Sequence, residues 1–116
     1  ISMAPDAALM KLSLARVLIA QNDSRVLEQA ITELEALIEA EPKWAFIRRQ
    51  LGIAYGRNNQ LGQADLALAE EALLIGDTPT AIRLARRSLS HADLPQDVSA
   101  RARDILFELN APLPVN

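Results

Sequence analysis

The residues of this 116-residue chain that could first be asked for chemistry are one histidine and a pair of adjacent glutamates, with no cysteine anywhere. A zinc peptidase site needs two histidines on one helical face with a glutamate between them, plus a third ligand, because the metal takes several fixed donors. His91 alone cannot supply that set, and without cysteine it cannot join a structural zinc site either. The chain is therefore expected to hold no metal and no cofactor. His91 is expected to be a solvated side chain near a helix C-terminus, where the helix dipole favours it. Glu70 and Glu71 could suggest acid–base work, but consecutive helix residues point about 100° apart. Nothing near them would hold a substrate, so both are expected to be solvated. Gly52, Gly56, Gly62 and Gly76 are scattered over helices and turns rather than gathered in a phosphate-cradling loop. No catalytic centre is expected in this chain.

What remains is recognition by charge. Six helical segments can be drawn near 5–21, 25–40, 43–58, 61–75, 79–91 and 96–109, each bounded by cap or turn residues. The first, third and fifth carry Lys11, Arg16, Lys43, Arg48, Arg49, Arg57, Arg83, Arg86 and Arg87 against only Asp6. The second and fourth carry Glu28, Glu33, Glu35, Glu39, Asp65, Glu70 and Glu71. The formal charge of −3 thus covers two surfaces of opposite sign. It leaves no overall basic field for a phosphate backbone, so nucleic acid is not an expected partner. No apolar run approaches the ~18 residues of a membrane span, and no charged-then-apolar leader opens the sequence. The absence of cysteine leaves the compartment open. The chain begins Ile1-Ser2, without an initiator methionine in first place, and reads as an excised or processed piece of a larger parent.

The elements that must position these charges are aliphatic helices. Half of the residues are apolar but only 3% are aromatic, a helix former's composition. In the second segment Leu27, Ala30, Ile31, Leu34, Leu37 and Ile38 recur at three-and-four spacing on one face. The third repeats this with Trp44, Ile47, Leu51, Ala54 and Tyr55, and the last with Val98, Ala102, Ile105 and Leu109. The fourth has two stripes, Leu61/Ala64/Leu68/Ala72/Ile75 and Leu66/Ala69/Leu73, and is expected to be sandwiched. Gly76 with Asp77-Thr78-Pro79, Asn22-Asp23-Ser24, Asn58-Asn59, Asp93-Leu94-Pro95 and Asn110-Ala111-Pro112 supply the stops and restarts. Short loops force antiparallel neighbours.

Helix pairs recurring every ~34 residues mark a solenoid rather than a bundle. Leu51-Gly52 followed by Tyr55, then Ala64 and Leu68, resembles the Leu-Gly, Tyr and Ala of a tetratricopeptide repeat (TPR). Ala30, Leu34, Leu37 and Pro42 resemble the second half of a preceding repeat, whose first half carries about two extra residues near Asn22 to Val26. An overlapping frame fits too, with Leu68-Ala69, Ala72, Gly76-Asp77, Ala81, Ala85 and Leu89. The resemblance covers roughly residues 10 to 92, with a capping helix near 96–109. It implies an all-α single domain over 1–116, antiparallel helix pairs stacked as a short right-handed solenoid of about six helices. Residues 48–89 are also similar to the C-terminal TPR region of bacterial periplasmic zinc metallopeptidases of the BepA type. That similarity implies a periplasmic protein whose HExxH zinc site lies in another domain.

The resemblance also implies where binding occurs, because the first helix of each TPR pair lines the concave groove. The first, third and fifth helices are then the inner set, and the groove is expected to accept an acidic or carboxylate-bearing protein segment through charge-assisted contacts. Phe46, Arg49, Ile53 and Arg57 match the usual groove-lining positions on the third helix, and Arg83 and Arg87 join them from the fifth. The bland alternatives are that Phe46 and Ile53 lie under a neighbouring helix, and that Arg and Glu of adjacent helices simply pair, contributing 0 to ~1 kcal/mol each. TPRs that clamp a terminal carboxylate usually have Asn where Ile53 stands, so that mode is not expected. The function implied is a non-catalytic protein-interaction domain that recruits partners or controls substrate access for a peptidase domain of the same parent. The alternative is a free-standing adaptor or co-chaperone. Self-association to cover an exposed terminal helix is a further expectation.

Overall fold

Five of the described residues take up left-handed backbone: Asn22 (φ 54°), Asn59 (φ 61°), Gly76 (φ 79°), Asp93 (φ 58°) and Asn110 (φ 54°). Asparagine, aspartate and glycine tolerate that region best, and it is where a helix is commonly brought to a stop. The computed structural model describes residues 5–114. Between these stops lie α1 (Pro5–Ala20), α2 (Ser24–Ala40), α3 (Ala45–Arg57), α4 (Leu61–Leu74), α5 (Thr78–Leu89) and α6 (Gln96–Glu108), with no strand among the described residues. The Ile1-Ser2 start and the outermost ends of the expected 1–116 domain lie outside the described residues.

The last four stops fall 17 residues apart, at 59, 76, 93 and 110. One helix and its turn therefore occupy 17 residues in this half of the chain, half of the ~34-residue TPR period. Three of these turns close with the same bond: Gln60 N–H to Tyr55 C=O at 2.9 Å, Asp77 to Ala72 at 2.9 Å and Ala111 to Leu106 at 2.8 Å. This is the six-to-one bond that satisfies an orphan carbonyl at a helix end. The α2–α3 turn departs from the pattern. The residue 17 before Asn59 is Pro42, whose ring holds φ near −65° and forbids the left-handed region. Glu41 ends α2 instead, at φ −131°. Two helix starts are fixed by side chains: Asp23 accepts from the N–H of Arg25 and Val26 at α2, and Asp77 accepts from Thr80 at α5.

The helices are antiparallel neighbours packed in an all-α helical-repeat arrangement, each against the next, with two further contacts, α1 on α3 and α4 on α6. Two apolar clusters result. One joins α1, α2 and α3 through Ala8, Leu12, Ala15, Ile19, Leu27, Leu34, Leu37 and Ile47, and takes Ala67 from α4. The other joins α4, α5 and α6 through Ala69, Leu84, Ala85, Ile105 and Leu106. Helix α4 is thus sandwiched, as its sequence leads one to expect, but its two stripes do not divide between the cores. Leu68 of the first packs with Leu66, Ala69 and Leu73 of the second, the α1–α3 core takes Ala67, which belongs to neither, and Leu61 and Ile75 are exposed. Helices α3 and α4 approach closely at Gly52, where an added Cβ would lie 2.8 Å from Leu68 Cδ2. Only glycine permits that spacing without moving Leu68.

The grouping of α1, α3 and α5 into one inner set does not describe the packing. Among the described residues α5 makes no close contact with α3; both lie against α4, one on each side.

Candidate functional site

Because α3 and α5 flank α4, their side chains converge over one face of it. There they enclose an open cleft of about 260 Å³. Its floor is Leu68, Ala72 and Leu84, with Ile75 exposed at the rim. Its walls carry Arg49 from α3 and Arg83 and Arg87 from α5. Arg49 and Arg83 are 34 residues apart and present the same residue type at the same place in successive repeat units.

The guanidinium groups differ sharply in what holds them. Arg49 Nε donates to Glu71 Oε2 at 2.8 Å. Arg87 donates through Nε and Nη2 to one oxygen of Asp65, at 3.0 and 2.8 Å, and this bond raises its pKa above the ordinary value. Asp65 is nearly buried, and its other oxygen meets His91 Nε2 at 2.8 Å. Arg83 is exposed and has no hydrogen bond or ion pair among the described residues. Asp77, the cap of α5, also lines the cleft. Arg83 is thus the cation whose charge nothing in the cleft has already taken.

Of the other candidates of α3, Phe46 and Arg57 meet α1. Phe46 and Ile53 are partly exposed, at 37% and 36%. The Arg16 guanidinium carbon sits 5.7 Å from the Phe46 ring centroid, a cation–π distance. Arg57 Nη1 donates to the Ile19 carbonyl at 3.1 Å, beside the Asn22 N–H that the same oxygen accepts at the end of α1. Of the six residues singled out by sequence, the structure brings Arg49, Arg83 and Arg87 into one cleft. It sets Phe46 and Arg57 against α1 instead and leaves Ile53 partly exposed on α3.

Three expectations are overturned. Glu70 and Glu71 are not solvated: Glu71 is buried against Arg49, and Glu70 receives a two-pronged bond from Arg101 of α6, at 3.0 and 2.8 Å. Arg101 is further bonded to Glu108, and its pKa is driven well above the usual arginine range, chiefly by the Glu70 bond. The acidic residues of α4 therefore do not form a surface opposite to the basic helices. The helix is sandwiched, so its carboxylates turn towards arginines of the helices on either side. His91 is likewise a partner of buried Asp65 rather than a free solvated ring.

Sequence reasoning missed Asp65 as the point where Arg87 and His91 meet. It also missed the Tyr55 hydroxyl, which donates to Glu35 at 2.7 Å, and the fully buried Ser88, whose hydroxyl donates to the Gly62 carbonyl at 2.9 Å. Burial and the Glu35 bond raise the Tyr55 pKa above 10. Their partners lie 20 to 26 residues away, so no short-range spacing reports them.

A larger hollow of about 380 Å³ lies between the α3–α4 and α5–α6 turns, lined by Asn59, Gln60, Gln63, His91 and Asp93 among others. Its lining mixes three carboxamides with the apolar Leu61, Ala92 and Leu94. Among the described residues no group of three or more His, Asp or Glu is placed to hold a metal ion, and no helix is long and apolar enough to cross a membrane. Comparison with protein-family models, with curated proteins and with solved structures finds no match.

Proposed function

We propose that this chain is a non-catalytic protein-binding module of the TPR type, which holds a segment of another protein in the α3–α4–α5 cleft. The observation that carries the reading is the cleft itself, an apolar floor with the uncommitted Arg83 guanidinium beside it. Arg49 adds N–H groups that its Glu71 bond leaves unused. An apolar floor with a few fixed polar groups is how small recognition sites gain both affinity and orientation. The ligand class is a short segment with aliphatic side chains for the floor and one carboxylate for Arg83. The 17-residue recurrence of the turns and the Gly52–Leu68 approach support the TPR assignment.

The similarity of residues 48–89 to the repeat region of BepA-type enzymes supports a further proposal. The module serves a periplasmic zinc metallopeptidase of the same polypeptide, recruiting partners or controlling access to the active site. A reading frame that encodes no HExxH domain would favour a free-standing adaptor instead.

The experiment is fluorescence anisotropy with synthetic peptides that pair leucine with glutamate, against controls with glutamine at the same positions. The acidic peptides should bind more tightly. Arg83→Ala should weaken them by about ten-fold or more, the value of one charge-assisted hydrogen bond. Equal binding of acidic and neutral peptides, or indifference to Arg83→Ala, would refute the reading. Arg83 is the residue to change first, because Arg49, Arg57 and Arg87 also hold the fold together.

A further inference from the structure

The two ends of the helical stack are finished differently. At the C-terminal end α6 turns Ala100, Arg103, Asp104, Phe107 and Glu108 outward, a face whose one large apolar residue is Phe107. A polar outer face is what a terminal repeat needs. At the N-terminal end α1 has two seams. Ala8, Leu12, Ala15 and Ile19 are buried against the body of the protein. On the opposite side of the same helix Ala7, Met10, Leu14 and Val17 recur at spacings of three, four and three, and Met10, Leu14 and Val17 are 72%, 52% and 57% exposed. Spacing of that kind aligns side chains along a line that faces a second helix. The outer seam is thus built like a helix-packing surface and, among the described residues, no other helix covers it.

We propose that the outer seam of α1 binds the same seam of a second copy, forming a symmetric dimer with the two α1 helices parallel. The flanking charges select both the occupant and the direction. In the frame that puts Ala7 and Leu14 at position a and Met10 and Val17 at position d, Asp6 falls at g and Lys11 at the following e. In a parallel pair, g of one helix lies beside the following e of the other, so Asp6 of each copy meets Lys11 of its partner, twice by symmetry. Both are exposed. An antiparallel pair would set e beside e and g beside g, placing Lys11 opposite the aliphatic Leu18 and leaving Asp6 without a cation. The buried seam faces directly away from the outer one, so the bodies of the two copies extend to opposite sides of the new contact. A seam of four side chains per copy buries far less than the ~1,200–2,000 Å² of a standard stable interface, so the dimer is weak and concentration-dependent.

Sedimentation velocity of the whole chain from low micromolar to near-millimolar concentration tests this. A monomer–dimer equilibrium is expected, and Leu14→Glu should weaken it at least about ten-fold by burying carboxylates in the seam. Circular dichroism and Tm should be unchanged in that variant, since Leu14 lies outside the core. Asp6→Lys should also weaken the dimer, and the double exchange Asp6→Lys with Lys11→Asp should restore it. Because the chain has no cysteine, Ala7→Cys gives a second readout. Oxidation should link Cys at this position to its counterpart in a parallel pair and not in an antiparallel one. A chain that stays monomeric throughout overturns the proposal, as does a dimer indifferent to Leu14→Glu. A dimer that neither cross-links through Ala7→Cys nor responds to the charge exchange overturns the parallel arrangement.

Discussion

Replacing Glu70 by alanine removes the carboxylate on which two arginines depend. Arg101 holds it with two N–H groups, at 3.0 and 2.8 Å, and Arg48 lies 3.9 Å from it with its own Nε buried and unpartnered. Exposed ion pairs contribute about 0.2–1 kcal/mol, whereas breaking a fully buried one costs about 3–5 kcal/mol. The Glu70 side chain is 17% exposed and that of Arg101 is 34%, which places the pair between those limits. A loss of about 2 kcal/mol is expected for Glu70→Ala, after allowing for Arg101's retained bond to Glu108 and for solvent screening. For a domain of this size that corresponds to a fall in Tm of roughly 6–12 °C. Glu70→Gln keeps one acceptor and the volume, and should cost about half as much. Urea denaturation of Glu70→Ala, Arg101→Ala and the double variant gives the coupling directly, about 1–2 kcal/mol if the fork is formed in solution. A Glu70→Ala protein within about 0.5 kcal/mol of the parent, the range of ordinary surface substitutions, would show that α6 is not tied to α4 in this way.

Two other substitutions probe the turns and the tyrosine. Gly76→Ala should destabilise by about 1–2 kcal/mol in a thermal melt through backbone strain alone, since φ is 79° and no atom lies within 4 Å of the added carbon; an unchanged Tm would contradict the left-handed turn. Tyr55 has its pKa raised by burial and by its bond to Glu35. The folded state therefore keeps the phenolic proton longer than the unfolded chain, and the stability this contributes is present below pH 10 and declines as the pH rises beyond it. The slope should be below the roughly 1.4 kcal/mol per pH unit of one fully linked proton, because the ring is only half buried. Tyr55→Phe should remove that part of the decline, and an identical alkaline limb in the variant would refute it.

The six helices were legible because each carries its own period and its own stop. Asn22, Asn59, Gly76 and Asn110 lie within two residues of a helix end, and a residue suited to left-handed backbone shows in the sequence whatever packs beside it. That α4 is apolar on more than one side was legible for the same reason, as a property of one helix, but the core that each residue joins was not, since Leu68 packs with Leu66, Ala69 and Leu73. Which helix lies opposite which was not. Arg49 and Glu71 are 22 residues apart, as are Arg87 and Asp65, and Arg101 and Glu70 are 31 apart. A charge on a helix looks the same in sequence whether its neighbour answers it or water does. The cleft was therefore only half readable: its arginines could be named, while the carboxylates that occupy two of them came from a helix assigned to another surface.

Among the described residues every helix–helix contact joins elements no more than two apart along the chain. Such a topology spends little entropy on closing long loops, and proteins dominated by local contacts fold on the microsecond-to-millisecond scale. It also leaves nothing to bind the first helix to the last, so opening need not be all-or-none. Amide exchange should then be graded along the chain, fastest in α1 and α6, which can peel away singly, and slowest where α3 and α4 close around Gly52.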